Sequence, residues 1–218
     1  MSIRCVLFDL DGTLVDTAPD LVGSLNHLLV QNNKDPIAYE IARPFASAGS
    51  RGLLKLGFDL DEGDSDYAPL RQRFIEHYAE NSCLHSRLFD GIPALLSDLN
   101  TQGIRWGVVT NKPGFLTEPL MQALDFPSAP ACVIGGDATA NLKPHPDNLL
   151  LACEQIQHLP QDCLYVGDAQ RDITAGQRAG MRTVAVSYGY IRPYESPEQW
   201  GADFLIHHPQ ELLACLSS

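Results

Sequence analysis

The chain of 218 residues lacks any apolar run approaching the roughly 20 residues that cross a bilayer as a helix. It is also short of positive charge: 15 Lys and Arg stand against 27 Asp and Glu, a net charge of −12. Nucleic acids and anionic membrane surfaces are gripped by clusters of Lys and Arg, so neither is expected as a partner. The deficit is not local. Residues 16–90 hold 7 basic and 12 acidic residues (net −5) and the remainder 8 and 15 (net −7), so neither part offers a basic docking surface. None of the six cysteines forms a Cys-x-x-Cys pair, which removes the usual signature of zinc ribbons and thioredoxin-like chemistry. The histidines show no metal-binding spacing, and His207-His208 reads as a solvated loop. There is no internal repeat or low-complexity tract. Met1-Ser2-Ile3-Arg4 runs into a strand without a long apolar stretch or a small-residue cleavage site. The expectation is a cytoplasmic protein with reduced thiols, most of them small buried hydrophobes as in Cys5-Val6-Leu7-Phe8.

What is present is a globular balance of 44% hydrophobic and 19% charged residues. A chain of this length buries about 70% of its unfolded surface, enough for one compact domain with a modest insertion. Residues 3–8 form a β-rich apolar run that ends abruptly at Asp9-Leu10-Asp11-Gly12-Thr13. A helical stripe of Leu21, Leu25, Leu28 and Leu29 follows, with Asp16 or Thr17 as its N-cap and Pro19 in its first turn. Helices are predicted near 51–57 and over 67–81, and no strand alternation is visible between 16 and about 88. From Asp90 onward helices (92–102, 116–124, 147–156, 172–179, 210–216) alternate with strands (105–109, 131–134, 163–166, 183–187, 204–206), and Gly103 and Gly180 act as helix stops. Alternation of this kind implies right-handed βαβ units. The predicted fold is therefore α/β: a Rossmann-like parallel core of residues 1–15 and 89–218, with a helical cap of residues 16–88 inserted after the first strand.

In an open α/β sheet, ligands bind beyond the carboxyl ends of the strands. The residues at those ends are Asp9 and Asp11, Thr110 and Asn111, and Gly167 and Asp168, with Asp172 one turn later and Lys143 in the loop after the third strand. Clustered carboxylates repel one another unless a cation joins them, and oxygen-only ligands favour a hard ion such as Mg²⁺. A lysine and a hydroxyl can bind phosphate oxygens beside it. The set suits phosphoryl transfer. Each residue also has an ordinary use: Asp168 and Asp172 as helix N-terminal caps, Thr110-Asn111 as turn chemistry before Lys112-Pro113, and Lys143 as a solvated loop lysine. Lys112 is the less favoured substitute for Lys143.

Asp9-Leu10-Asp11-Gly12-Thr13-Leu14-Val15-Asp16-Thr17 resembles the first motif of the haloacid dehalogenase-like phosphatases. Thr110-Asn111, Lys143-Pro144, and Gly167-Asp168 with Asp172 resemble the second, third and fourth, in that order along the chain. The resemblance implies that Asp9 attacks phosphorus to form an aspartyl-phosphate, and that Asp11 protonates the leaving oxygen and then activates water. It implies Mg²⁺ held by Asp9, the backbone carbonyl of Asp11, and Asp168, with Asp172 binding it or orienting its water shell. Thr110 and the Asn111 backbone would hold phosphate oxygens, and Lys143 would neutralise the phosphate and the intermediate. The substrate would be a small phosphorylated metabolite, and the helical insertion would close over the site as a cap. Within that cap, Gly49-Ser50-Arg51-Gly52 reads as a flexible turn whose Arg51 grips a substrate carboxylate, or as a surface arginine beginning a helix. His85-Ser86-Arg87 lies near the hinge.

Within the family the chain resembles the phosphoglycolate phosphatases in the broad sense. Four stretches resemble the N-acetylmuramic acid 6-phosphate phosphatases: His85-Ser86-Arg87-Leu88-Phe89-Asp90-Gly91, Gly107-Val108-Val109-Thr110-Asn111-Lys112-Pro113, Tyr188-Gly189-Tyr190-Ile191-Arg192-Pro193 and Trp200-Gly201-Ala202-Asp203. Asp11 argues against a haloacid dehalogenase, which lacks that second aspartate, and neither Lys34 nor Lys55 sits in the context of a phosphonatase cap lysine. A sugar phosphomutase of the same family stays open, as does a non-catalytic phospho-ligand sensor, although the intact set of Asp9, Asp11, Lys143 and Asp168 argues against the sensor.

Overall fold

The computed structural model describes residues 3–216, so the two residues at each end of the expected 1–218 span lie outside it. β1 (Cys5–Phe8) leads to β2 (Val15–Asp16) and then to α1 (Ala18–Gln31), α2 (Tyr39–Ala42), α3 (Gly49–Phe58) and α4 (Tyr67–Asn81). The chain returns through β3 (Arg87–Leu88), α5 (Ile92–Thr101), β4 (Arg105–Val109), α6 (Gly114–Ala123) and β5 (Val133–Ile134). It continues through α7 (Asp147–Ile156), β6 (Cys163–Gly167), α8 (Gln170–Ala179), β7 (Arg182–Val186), β8 (Phe204–Ile206) and α9 (Leu212–Cys215).

Six strands form one parallel sheet in the order β5-β4-β1-β6-β7-β8. β1 is central, with Phe8 in register with Val108 of β4 and Val166 of β6. The strand order reverses on either side of β1, which opens a crevice at its carboxyl end. Side chains two apart share a sheet face. Val6, Phe8, Val108 and Val166 accordingly pack against Leu95, Leu96 and Leu99 of α5, while Cys5, Leu7, Val109 and Tyr165 pack against Leu149 of α7 and Ala175 of α8. Burial on both faces explains why these strands read as unbroken apolar runs. The helical insert has a cluster of its own around Leu25, Leu28, Leu53, Phe74 and Tyr78, which Leu116 and Tyr190 join from the sheet side.

Several local expectations change. β2 and β3 do pair, antiparallel, Val15 with Leu88 and Asp16 with Arg87. Two residues a side are too few to show alternation, and the ribbon clasps the entry to the insert against its exit. Thr17 occupies the N-cap of α1, but its side chain does not cap it. The Thr17 hydroxyl donates to Asp11 instead (2.5 Å), and the free amides of Thr17 and Ala18 donate to the distant Tyr190 hydroxyl at 2.7 and 2.9 Å. A tertiary partner has displaced the local cap. The expected strand 131–134 shortens to Val133–Ile134, and the closing helix splits into a 3₁₀ turn at Pro209–Glu211 followed by α9. α6 and α8 begin two residues earlier than expected. All six cysteines are unpaired and five are buried. Among the described residues no helix is long and apolar enough to cross a membrane.

Candidate active site

The carboxyl end of β1 sets the centre of the crevice. The Asp9 amide donates to the Val166 carbonyl (2.8 Å), which extends the parallel ladder by one residue and fixes the carboxylate just past the strand. Asp9 Oδ1 accepts from the Leu10 amide (2.8 Å) and meets Lys143 Nζ at 2.9 Å. Lys143 is fully buried, with Asp172 Oδ1 at 2.7 Å, the Tyr165 hydroxyl at 2.8 Å and the Val109 carbonyl at 3.1 Å around its ammonium. Burial works against that charge, but the carboxylates of Asp172 and Asp9 outweigh it and hold the lysine above its ordinary range. Asn111 fastens the lysine's loop: its Oδ1 accepts from the Lys143 amide (2.9 Å) and its Nδ2 donates to the Lys143 carbonyl (3.1 Å). Lys143 is therefore no solvated loop lysine.

Asp9, Asp168 and Asp172 each bring a buried carboxylate oxygen within 4.8 Å of the other two. Asp168 Oδ2 accepts from the Tyr190 amide (2.8 Å), but Oδ1 is buried without a partner. Burial first, then the charges of Asp9 and Asp172, push the Asp168 carboxyl up to about 8. A buried carboxylate oxygen left without a donor is costly unless a cation meets it, and an all-oxygen trio fits a hard divalent ion. Asp168 does not cap the helix that follows. Asp172 takes that part as well as its pairing with Lys143, accepting from the Ala169 amide (3.1 Å). Gly12 closes the first loop with φ +85°, and a Cβ there would lie 2.1 Å from Asp168 Oδ2 and 2.9 Å from the Tyr190 ring. Only glycine fits.

Asp11 is turned toward the insert. Its Oδ1 accepts from the Thr17 hydroxyl (2.5 Å) and from Lys112 Nζ (2.9 Å), and Lys112 also donates to the hydroxyl of Tyr78 on α4 (2.7 Å). Burial opposes the Lys112 charge, but Asp11 and Tyr78 outweigh it, so its pKa is raised. The two lysines thus divide the work: Lys143 serves Asp9, and Lys112, weighed from sequence only as a substitute, serves Asp11. Thr110 lines the same cavity and accepts the Lys112 amide at its hydroxyl (3.1 Å).

Sequence reasoning missed Arg171 and Asp20. Arg171, in the first turn of α8 between Asp168 and Asp172, lines the cavity and donates to the Ser47 carbonyl of the insert (2.8 Å). Asp20 sits on the buried face of α1 and accepts from the amides of His85 (3.0 Å) and Ser86 (3.0 Å) and from the Ser86 hydroxyl (2.6 Å), tying the return strand to the insert. An aspartate next to the apolar stripe of Leu21 and Leu25 was the one available signal.

The cavity between the strand ends and the insert measures about 500 Å³. Its inner end carries Asp9, Asp11, Thr110, Asn111, Lys143 and Arg171, and its walls carry Phe74, Ile75, Leu116 and Leu142. Gly49, Arg51, Arg71 and Tyr67 line it from the insert. Gly49-Ser50-Arg51-Gly52 is not a flexible turn but the first turn of α3, the second of the two readings, and a Cβ on Gly52 would lie 2.6 Å from the Phe45 carbonyl. Arg51 is exposed at that helix start. Tyr67 is buried and its hydroxyl has no hydrogen-bond partner of good geometry. Burial raises its pKa against the opposing pull of the nearby Arg71 and Arg51 guanidiniums.

The profile of the haloacid dehalogenase-like hydrolases matches residues 6–186. The chain is 41% identical to the N-acetylmuramic acid 6-phosphate phosphatase of Pseudomonas aeruginosa over 99% of its length and 96% of that protein's. It is 40% identical to the phosphoglycolate phosphatase of Xanthomonas campestris pv. campestris over 96% of its length and 94% of that protein's. A crystal structure from Haemophilus somnus, described as a predicted phosphoglycolate phosphatase, superimposes with a TM-score of 0.86 at 28% identity, covering 99% of this chain and 98% of that one. By profile, by sequence relatives and by architecture, the chain belongs to the haloacid dehalogenase-like hydrolases.

Proposed function

We propose that this chain is a Mg²⁺-dependent phosphomonoesterase that hydrolyses N-acetylmuramic acid 6-phosphate in preference to 2-phosphoglycolate. The observation that carries the reading is the arrangement of the cavity. Asp9 and Lys143 line one end, with the buried carboxylates of Asp168 and Asp172 close against Asp9, and Phe74, Ile75, Leu142, Arg51, Arg71 and Glu62 are among the side chains that line the rest. A two-carbon phosphate would leave most of about 500 Å³ unfilled, whereas cavities of that size suit a ligand with a sugar ring. The substrate's carboxylate would meet Arg51 and Arg71, and its acetyl and ring faces would lie along Phe74, Ile75 and Leu142.

In the proposed reaction Asp9 attacks phosphorus and the ester bond to the leaving oxygen breaks. Asp11 protonates that oxygen and then takes a proton from the water that hydrolyses the aspartyl-phosphate. Lys143 and the Thr110 hydroxyl hold phosphoryl oxygens, with the Asn111 amide beside them, and Lys143 offsets the charge on Asp9. Mg²⁺ would be held by Asp9, Asp168 and the Asp11 carbonyl, with Asp172 steadying its shell, and would supply charge neutralisation at the phosphoryl group. Residues 16–88 act as a cap over the core of residues 1–15 and 89–218. We place the protein in the cytoplasm, a reading supported by six unpaired thiols.

A kcat/KM comparison of N-acetylmuramic acid 6-phosphate, 2-phosphoglycolate and β-glucose 1-phosphate tests the assignment. Preference for the first is expected. Arg51→Ala should raise KM for it more than for p-nitrophenyl phosphate. Preference for 2-phosphoglycolate would overturn the substrate assignment, and conversion of β-glucose 1-phosphate to a phosphosugar isomer would mark a mutase.

A further inference from the structure

We propose that Lys112, braced by Tyr78 from the helical insert, is the positioning residue that orients Asp11 for proton transfer. This inference rests on the phosphatase reading above. Two donors converge on a single oxygen of Asp11: the Thr17 hydroxyl at 2.5 Å and the Lys112 ammonium at 2.9 Å, both on Oδ1. Among the described residues no side chain or amide donates to Oδ2, and Asp11 lines the cavity with 19% of its side chain exposed. Oδ1 is thereby pinned, and Oδ2 is the oxygen left to face a bound ester.

Lys112 is built to hold this post. Its amide donates to the Thr110 hydroxyl (3.1 Å), and its carbonyl accepts from the Gly136 amide (2.8 Å) and the buried Thr117 hydroxyl (3.1 Å). Its side chain is 6% exposed. Its ammonium donates to the Tyr78 hydroxyl at 2.7 Å and lies 4.5 Å from the centre of the same ring. Tyr78 is fully buried in the cluster that holds the insert together. Lys112 therefore joins three things: the loop that carries Thr110 and Asn111, the carboxylate of Asp11, and helix α4. The brace from Tyr78 exists only while the insert sits against the core. Seating of the insert and orientation of the proton donor are thus one structural event.

The step served is explicit. As an Asp9 oxygen bonds to phosphorus and the phosphorus–oxygen ester bond breaks, the leaving oxygen keeps the bonding pair and takes a proton that Asp11 carries on Oδ2 when it enters the step, leaving Asp11 a carboxylate held through Oδ1 by Lys112 and Thr17. An alkoxide needs that proton, whereas p-nitrophenolate departs as a stable anion and needs little help. Loss of Lys112 should consequently be felt according to the leaving group.

The experiment measures kcat/KM, which reports the phosphoryl-transfer step, for N-acetylmuramic acid 6-phosphate and for p-nitrophenyl phosphate. Lys112→Met should lose at least about tenfold more on the alkyl ester than on the aryl ester, and Lys112→Arg should recover part of that difference. Tyr78→Phe, which deletes one hydroxyl and keeps the apolar ring, should show the same substrate bias more weakly. Far-UV circular dichroism checks the fold of each variant. If Lys112→Met does not fold, Tyr78→Phe decides. Equal losses on the two esters, or no loss, would overturn the positioning role while leaving the phosphatase reading intact. A wild-type chain inactive on both esters in the presence of Mg²⁺ would overturn both.

Discussion

Stripping the metal ion and varying the pH should expose a proton on Asp168. Its carboxyl is held at about 8 by burial first and by Asp9 and Asp172 second, against an ordinary value of 3.8. Between those values the metal-free folded chain keeps a proton there that the unfolded chain has released. That contribution to stability is fully present below about 4 and is lost as the pH rises through about 8. A divalent cation reverses the sign, because it binds the ionised carboxylate and must displace the proton. One unit of pH is worth about 1.4 kcal/mol, or tenfold. Apparent Mg²⁺ affinity should therefore climb nearly tenfold per unit up to about pH 8 and then level off, standing roughly a hundredfold below the plateau at about pH 6. Thermal unfolding with graded MgCl₂ between about pH 6 and 9 reads both effects: without metal the Tm falls as pH rises, and the stabilisation by Mg²⁺ grows over the same interval. Asp168→Asn should flatten the metal-free profile, since an amide has no proton to release. A Mg²⁺ affinity that does not change across that range would refute the idea that Asp168 must be emptied of its proton to bind the ion.

Two further outcomes follow from the geometry. Asp9→Asn should abolish turnover of p-nitrophenyl phosphate with an unchanged far-UV circular dichroism spectrum, and turnover near the wild-type rate would remove Asp9 as the nucleophile. Gly12→Ala places a methyl group 2.1 Å from Asp168 Oδ2 at a φ of +85°. The backbone conformation alone costs about 1–2 kcal/mol, so a lower urea midpoint together with weakened Mg²⁺ binding is expected. A midpoint and affinity equal to wild type would mean that the loop relaxes around the methyl group.

The placement of Asp9, Thr110 and Asp168 was legible because each lies immediately past a strand whose apolar run announces itself. Asp9 follows residues 5–8, Thr110 follows 105–109 and Asp168 follows 163–167, and the parallel register brings all three to one edge. Lys143 was legible as a lysine beside proline, although nothing local said it would be fully buried between two carboxylates. Arg51 was legible either as part of a flexible turn or as an arginine beginning a helix, since glycines at 49 and 52 are compatible with both, and the structure places it in the first turn of α3.

The order of the six sheet strands and the helices between them, the helical segment that follows the first of these strands and the acidic strand ends were thus determined by the sequence alone, because hydrophobic period and strand termination are local properties. Tertiary structure decided which polar groups meet across long separations: Lys112 with Tyr78 at 34 residues, Arg171 with Ser47 at 124, and the Tyr190 hydroxyl with the Thr17 amide at 173. Such pairs have no period to reveal them. They arise because two buried surfaces, the sheet edge and the helical insert, must satisfy each other's polar groups where they close together.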